Sequence, residues 1–282
     1  MRFALLPVAA AWLTLMSAPA LAQSAARLPT DPNAPPYLLK YWRSHGAGST
    51  LGIDSSETAP GAFQTAPAVF VHKIYGGPIP AAQADILKRR LDIAFKALMA
   101  QPSMADIHGT SLTAAINITR TQTDDGPPVI SASLSFNAKK IIKDDPRTVV
   151  KDGRYATPWL EGAVLEVVLN PYGYVARRNV QPGLQTGRTL SLNAGTTDAL
   201  LITDQPLATW DKAAMKETLS TDESWIGKPG IHPLLIRVAG ARHERLDIER
   251  ERTAATAPLA RLIAAAYMTD WESVHRQMAA VR

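Results

Sequence analysis

The sequence predicts an α+β protein, an antiparallel sheet with helices packed on one face. Three observations carry the prediction. LTAAINIT (112–119) and ISASLSF (130–136) alternate apolar and polar residues, so Leu112, Ala114, Ile116 and Ile118 share one face, as do Ile130, Ala132, Leu134 and Phe136. Between them lies TQTDDGPP, whose Asp-Gly and Pro-Pro steps are turn chemistry, and the whole reads as a long antiparallel hairpin. In residues 81–100 the period changes: Leu87, Leu91, Ala94, Phe95 and Leu98 recur at the spacing of a helix with one apolar stripe.

The chain opens MRFALLPVAAAWLTLMSAPALAQS. One cation (Arg2), an apolar run from Phe3 to Met16 and the small-residue site Ala20-Leu21-Ala22 read as a secretory signal over residues 1–22, with the mature chain starting near Gln23. The apolar run is shorter than the roughly 20 residues a membrane span needs. The expected location is periplasmic or secreted. Residues 23–67 read as a flexible segment rich in Pro, Gly and Ser: PTDPNAPP (29–36) excludes helix and central strand, and only YLLKYW (37–42) is apolar enough to dock. AVFVHKIY (68–75) is apolar and β-branched and predicts the first strand. Pro80 then stands in the first turn of the helix, where its missing N–H costs nothing.

From 139 to 156 the chain is charged and broken by KDDPR and KDGR turns. This predicts a boundary between an α+β unit at 68–140 and a second at 141–282, the two able to form one domain. AVLEVVLN (163–170), TLSLN (189–193), ALLIT (199–203), LLIRV (234–238) and ERLDIE (244–249) predict strands, and Thr209 predicts the N-cap of a short helix through Leu219. Thr256 predicts the cap of a last helix whose stripe of Leu259, Leu262, Ile263, Ala266, Tyr267, Trp271, Val274 and Met278 reaches the C-terminus. So broad a stripe needs a partner surface: the chain's own sheet in the first instance, a second copy (a homodimer) in the alternative. The order strand, helix, hairpin at 68–137 and again over 198–249 predicts a duplicated unit.

There is no cysteine, which excludes disulfides, thiol nucleophiles, iron–sulfur clusters and thiolate-bound zinc. Without the signal, 282 − 22 = 260 residues remain, enough to bury a core without covalent staples. The formal net charge is +5, or +4 without Arg2, with both signs interspersed and no basic block, so the clustered footprint of a nucleic-acid binder is missing.

Little in the chain resembles catalytic machinery. YWRSHGAGSTLGIDSSE (41–57) gathers His45, Ser49 and Asp54 but lacks the Gly-x-Ser-x-Gly of a nucleophile elbow and reads as loop. None of the six histidines has metal-ligand spacing, and Gly76-Gly77-Pro78 has no Lys, Ser or Thr to make a phosphate loop, so no metal and no cofactor is expected. Asp106 and His108 would share a face if their segment is extended, and they are the candidates for a metal-dependent or cofactor-free hydrolase. Trp159, Tyr172 and Tyr174 flank the strand at 163–170 and are the candidates for lining a ligand groove. The leading expectation is an exported, soluble envelope protein acting as a non-catalytic binding or interaction module. Its partner would be an unidentified envelope ligand or protein, with no nucleic acid and no membrane span; the hydrolase is the alternative.

Overall fold

A computed structural model of the chain describes residues 56, 58–72, 77–105, 107–123, 126–171, 230–241 and 257–282, and the backbone of five further strands between 181 and 219. Its centre is the hairpin. Strands β2 (Thr110–Thr121) and β3 (Val129–Lys140) are antiparallel, with Ala114 opposite Phe136 and Ile118 opposite Ala132. The inward residues Leu112, Ala114, Ile116, Ile118, Ala132, Leu134 and Phe136 are buried, and Ile130 packs against them at the margin. A period of two therefore becomes one dry face and one wetter face.

Strand β1 (Ala68–Val71) lies along β2 with Phe70 opposite Asn117, but it runs parallel to β2. Parallel neighbours need a crossover, and α1 (Ala81–Met99) with the short α2 (Pro102–Ala105) supplies it. The sheet is thus mixed at this edge, where hairpin signals predicted antiparallel pairing throughout. On the other side β6 (Ala163–Leu169) pairs with β3, and β12 (Leu234–Ala239) pairs with β6, both antiparallel. Beyond β12 follow β9 (Thr197–Ile202), β8 (Thr189–Asn193) and β7 (Gln181–Thr186), which completes an eight-stranded sheet. Strands from before and after residue 140 lie in this one sheet.

The helices pack against the dry face. Helix α1 buries the predicted Leu87, Leu91, Ala94, Phe95 and Leu98 against β2 and β3. The Phe95 ring stacks on Phe136 with centroids 5.5 Å apart and 2° between planes. Helix α3 (Pro258–Met268) lies over β3, β6 and β12 and is buried along its whole length. Arg261 of α3 is only 2% exposed. Its guanidinium donates to Ser103 O at 2.7 Å and His108 O at 2.9 Å, while Ser103 Oγ donates to Arg261 O at 3.1 Å. These bonds tie α3 to the turn that leads from α2 into β2.

Two expectations are overturned and a third is not confirmed. Residues 208–219 contain an antiparallel pair, β10 (Ala208–Asp211) and β11 (Lys216–Leu219), where Thr209 predicted a helix cap. A β-branched Thr beside Trp favours the extended chain, and that preference prevails over the capping signal. The duplicated unit is not confirmed, because the described residues where its helix was expected form β10 and β11. Finally, the C-terminal helix is two helices. Thr269 is extended (ψ 130) and its hydroxyl donates to Ala265 O at 2.7 Å, closing α3. Asp270 then caps α4 (Trp271–Ala279) by accepting Ser273 N–H at 3.0 Å. The N-cap of α3 is Ala257, with Pro258 following it. The stripe nevertheless reads through both helices, because both bury into the same core, α4 along α1. ERLDIE at 244–249 lies outside the described residues.

Candidate functional site

Of the candidate residues singled out from sequence, His108 and Trp159 are among the described residues. Asp106, Tyr172, Tyr174 and the loop trio His45, Ser49 and Asp54 lie outside the described residues. His108 is half-buried, forms an isolated bridge with Pro60 and offers its carbonyl to Arg261. Gly109, with φ at 68°, turns the chain from there into β2. His72 follows β1, where its Nε2–H donates to Asn117 Oδ1 at 3.0 Å. The backbone N–H of His232 donates to Asn170 Oδ1, also at 3.0 Å. Among the described residues no group of three or more His, Asp or Glu could hold a metal ion.

Trp159 has a more organised setting. Residues 59–64 form a strap along the start of β2. Gly61 N–H donates to Ile107 O at 2.8 Å, Gly109 N–H to Ala59 O at 2.9 Å and Leu112 N–H to Ala62 O at 2.8 Å. Phe63 sits opposite Leu112 and Ala68 opposite Ala115, so the strap bulges between them. At the bulge the Gln64 side chain replaces a backbone acceptor and takes Ala114 N–H at 2.6 Å. On its outer side the strap holds β5 (Arg154–Ala156): Tyr155 N–H donates to Pro60 O at 2.8 Å, and Ala62 N–H to Tyr155 O at 2.9 Å. Strand β4 (Val149–Lys151) pairs with β5 through Asp152-Gly153, whose φ values of 50° and 72° match the mirror-image turn of two-residue hairpins.

This outer hairpin carries an unusual surface. Val149 and Val150 are each 54% exposed, and as neighbours on a strand they point to opposite faces of the hairpin. Three cation–aromatic pairs surround them. The Arg147 guanidinium lies 3.8 Å from the centre of the exposed Trp159 ring, Arg154 lies 4.7 Å from Phe63, and Lys143 Nζ lies 5.9 Å from Tyr155. Arg147 is fixed by Asp145, Nε to Oδ1 at 3.1 Å and NH2 to Oδ2 at 3.0 Å. Those side-chain bonds, with the Arg147 N–H bond, hold the Asp145 carboxyl below the usual aspartate range. Beneath the loop, Thr148 Oγ1 donates to Ile142 O at 2.6 Å and lies 2.9 Å from Thr157 Oγ1, which in turn accepts Ile142 N–H at 3.0 Å.

Sequence reasoning found Trp159 but missed Phe63, Arg147, Arg154 and the valines. Strands of three residues are too short for alternation to show, and KDGR was the one local signal, read as a turn at a boundary. No family model, curated protein or solved structure matches this chain. What the surface can do follows from its chemistry. Trp, Tyr and Arg are the side chains that concentrate binding energy in protein interfaces.

Proposed function

We propose that this protein is a non-catalytic interaction module of the cell envelope that docks a protein partner on the β4–β5 margin. One observation carries the reading: Val149 and Val150 are both 54% exposed on a hairpin flanked by the exposed Trp159. Exposed valines beside an exposed indole are the kind of apolar surface that an interaction partner covers. The strap, the Asp-Gly turn and the Thr148–Thr157 bond hold the hairpin in place, so little ordering cost is left for association. Export rests on the MRFALLPVAAAWLTLMSAPALAQ segment, which has the three parts of a secretory signal. Among the described residues no helix is long and apolar enough to cross a membrane.

The test compares the tethered wild-type chain with a Trp159→Ala/Val150→Ser double variant in envelope extract. The wild type is expected to retain a discrete protein that cross-links to residues 143–159. The variant, losing an interface anchor, is expected to retain about tenfold less or below. Equal retention by both, or cross-links confined to other parts of the chain, would rule this docking surface out.

A further inference from the structure

The β4–β5 margin is charged as well as apolar. Between residues 139 and 159 six side chains are Lys or Arg and three are Asp, so this stretch holds +3 of the chain's net +5. Arg147 is neutralised by Asp145, which leaves cations of the hairpin itself uncompensated. Lys151 and Arg154 are partners across β4 and β5, so their side chains stand side by side on one face, both exposed. Like charges placed directly opposite each other repel, and among the described residues neither is in an ion pair. Arg154 is fixed in that position: NH1 donates to Gly61 O at 3.1 Å, and the guanidinium lies 4.7 Å from the Phe63 ring centre. Val149, two residues before Lys151, shares their face. The backbone of β4 is open as well. Tyr155 uses its N–H and C=O on the strap, donating to Pro60 O at 2.8 Å and accepting Ala62 N–H at 2.9 Å. The Val150–Tyr155 pair is therefore of the non-hydrogen-bonded kind, and the N–H and C=O of Val150 point outward, away from β5.

We infer that, given docking at this margin as proposed above, the docked element is an acidic, extended segment of the protein partner, paired antiparallel along the outer edge of β4. Such a strand exchanges two backbone bonds with Val150. Its residue opposite Lys151 falls on the face of Lys151 and Arg154, where one carboxylate meets two cations and relieves their repulsion. The next two residues of the strand fall opposite Val150 and Val149, and apolar side chains there cover both exposed valines. The recognised pattern is thus one Asp or Glu followed by two apolar residues. A second copy of this chain would bring the same positive surplus to the edge, so charge selects against self-pairing and for an acidic partner.

The test is a titration of the isotope-labelled full chain with the capped peptide Ser-Thr-Glu-Val-Val-Thr-Ser, and with its counterpart carrying Lys for Glu, followed by amide NMR. The Glu peptide is expected to move the Val150, Lys151 and Arg154 amides with a Kd on the order of 1 mM. The Lys peptide should bind about fivefold more weakly. In Lys151→Glu, at an exposed position beside the turn, the advantage of the Glu peptide should vanish. Methylating the amide nitrogen of the first valine removes the N–H due at Val150 O and should abolish binding. Equal binding of the two peptides to the wild type, an unchanged advantage in Lys151→Glu, or no movement of these amides at about 10 mM peptide would overturn the assignment. So would dextran sulfate, a polyanion without peptide groups, moving them where the peptides do not. Docking itself is read separately: if an envelope protein still cross-links to residues 143–159 and Lys151→Glu retains it as well as the wild type does, the docking surface stands and its acidic occupant falls.

Discussion

Gly61 shows how one missing atom sets the margin of the molecule. A Cβ there would lie 1.8 Å from Thr110 O and 2.8 Å from Ile107 Cγ2, inside the strap's own hydrogen bonds to β2. The neighbour is backbone and cannot swing aside. We expect Gly61→Ala to lift the strap, release β5 with it and cost about 3 kcal/mol, read as a lower urea midpoint. Arg261 acts in the opposite way, by what it adds. Arg261→Met keeps the apolar stem but leaves Ser103 O and His108 O without their guanidinium, two buried or part-buried acceptors. About 3 kcal/mol of stability should be lost, and Arg261→Lys should recover less than half, since one ammonium on a flexible stem is a poor substitute for a fork that reaches both carbonyls. Near-equal stability of Arg261→Met and wild type would show that these bonds contribute nothing net.

At the scale of elements, the break between α3 and α4 makes a clean test. Asp270→Ala removes the bond to Ser273 N–H and should cost about 1 kcal/mol without altering α3. The same break explains what could be read from sequence. The hairpin β2–β3 and helix α1 were legible because each is long enough for its period to repeat, and each buries only one face. The end of α3 was not, since the stripe from Leu259 to Met278 keeps helical spacing across Thr269-Asp270 and both helices face one core. The parallel edge could not be read either, because pairing direction depends on the crossover and leaves no mark in AVFV itself. The hairpin margin was nearly invisible: Val149, Arg154 and Trp159 lie in one charged segment with strands too short to show a period, and Phe63 comes from the strap, about ninety residues earlier in the chain. That loop also predicts a pH response. Asp145 has a depressed pKa, so the charged form that grips Arg147 contributes fully above the ordinary aspartate range and is lost as pH falls through the lowered value. The Trp159 indole signal should therefore hold steady from neutral pH down to that range and move only below it. In Asp145→Asn the step should vanish; its persistence would assign the titration to another group.

The whole molecule depends on its last two helices, to different degrees. Helix α3 is buried on every side and covers β3, β6 and β12, whose inward residues Phe136, Leu165, Val167 and Ile236 have almost no exposed surface. Helix α4 covers less: Trp271, Val274 and Met278 pack along α1, while Arg276 and Gln277 face water. Apolar burial is the main favourable contribution to folding, and net stability is only about 5–15 kcal/mol, so uncovering the centre of one sheet face exceeds what the remainder can offset. Removing residues 271–282 should lower the thermal midpoint but leave a cooperative transition. Removing residues 257–282 should also strip the Arg261 bonds and bare the sheet, giving a chain that binds a hydrophobic dye, lacks near-ultraviolet dichroism and melts without a midpoint. A sharp transition in the longer deletion would mean that β1 to β6 and α1 form a core sufficient by themselves, and that α3 is an attachment to the fold and not its centre.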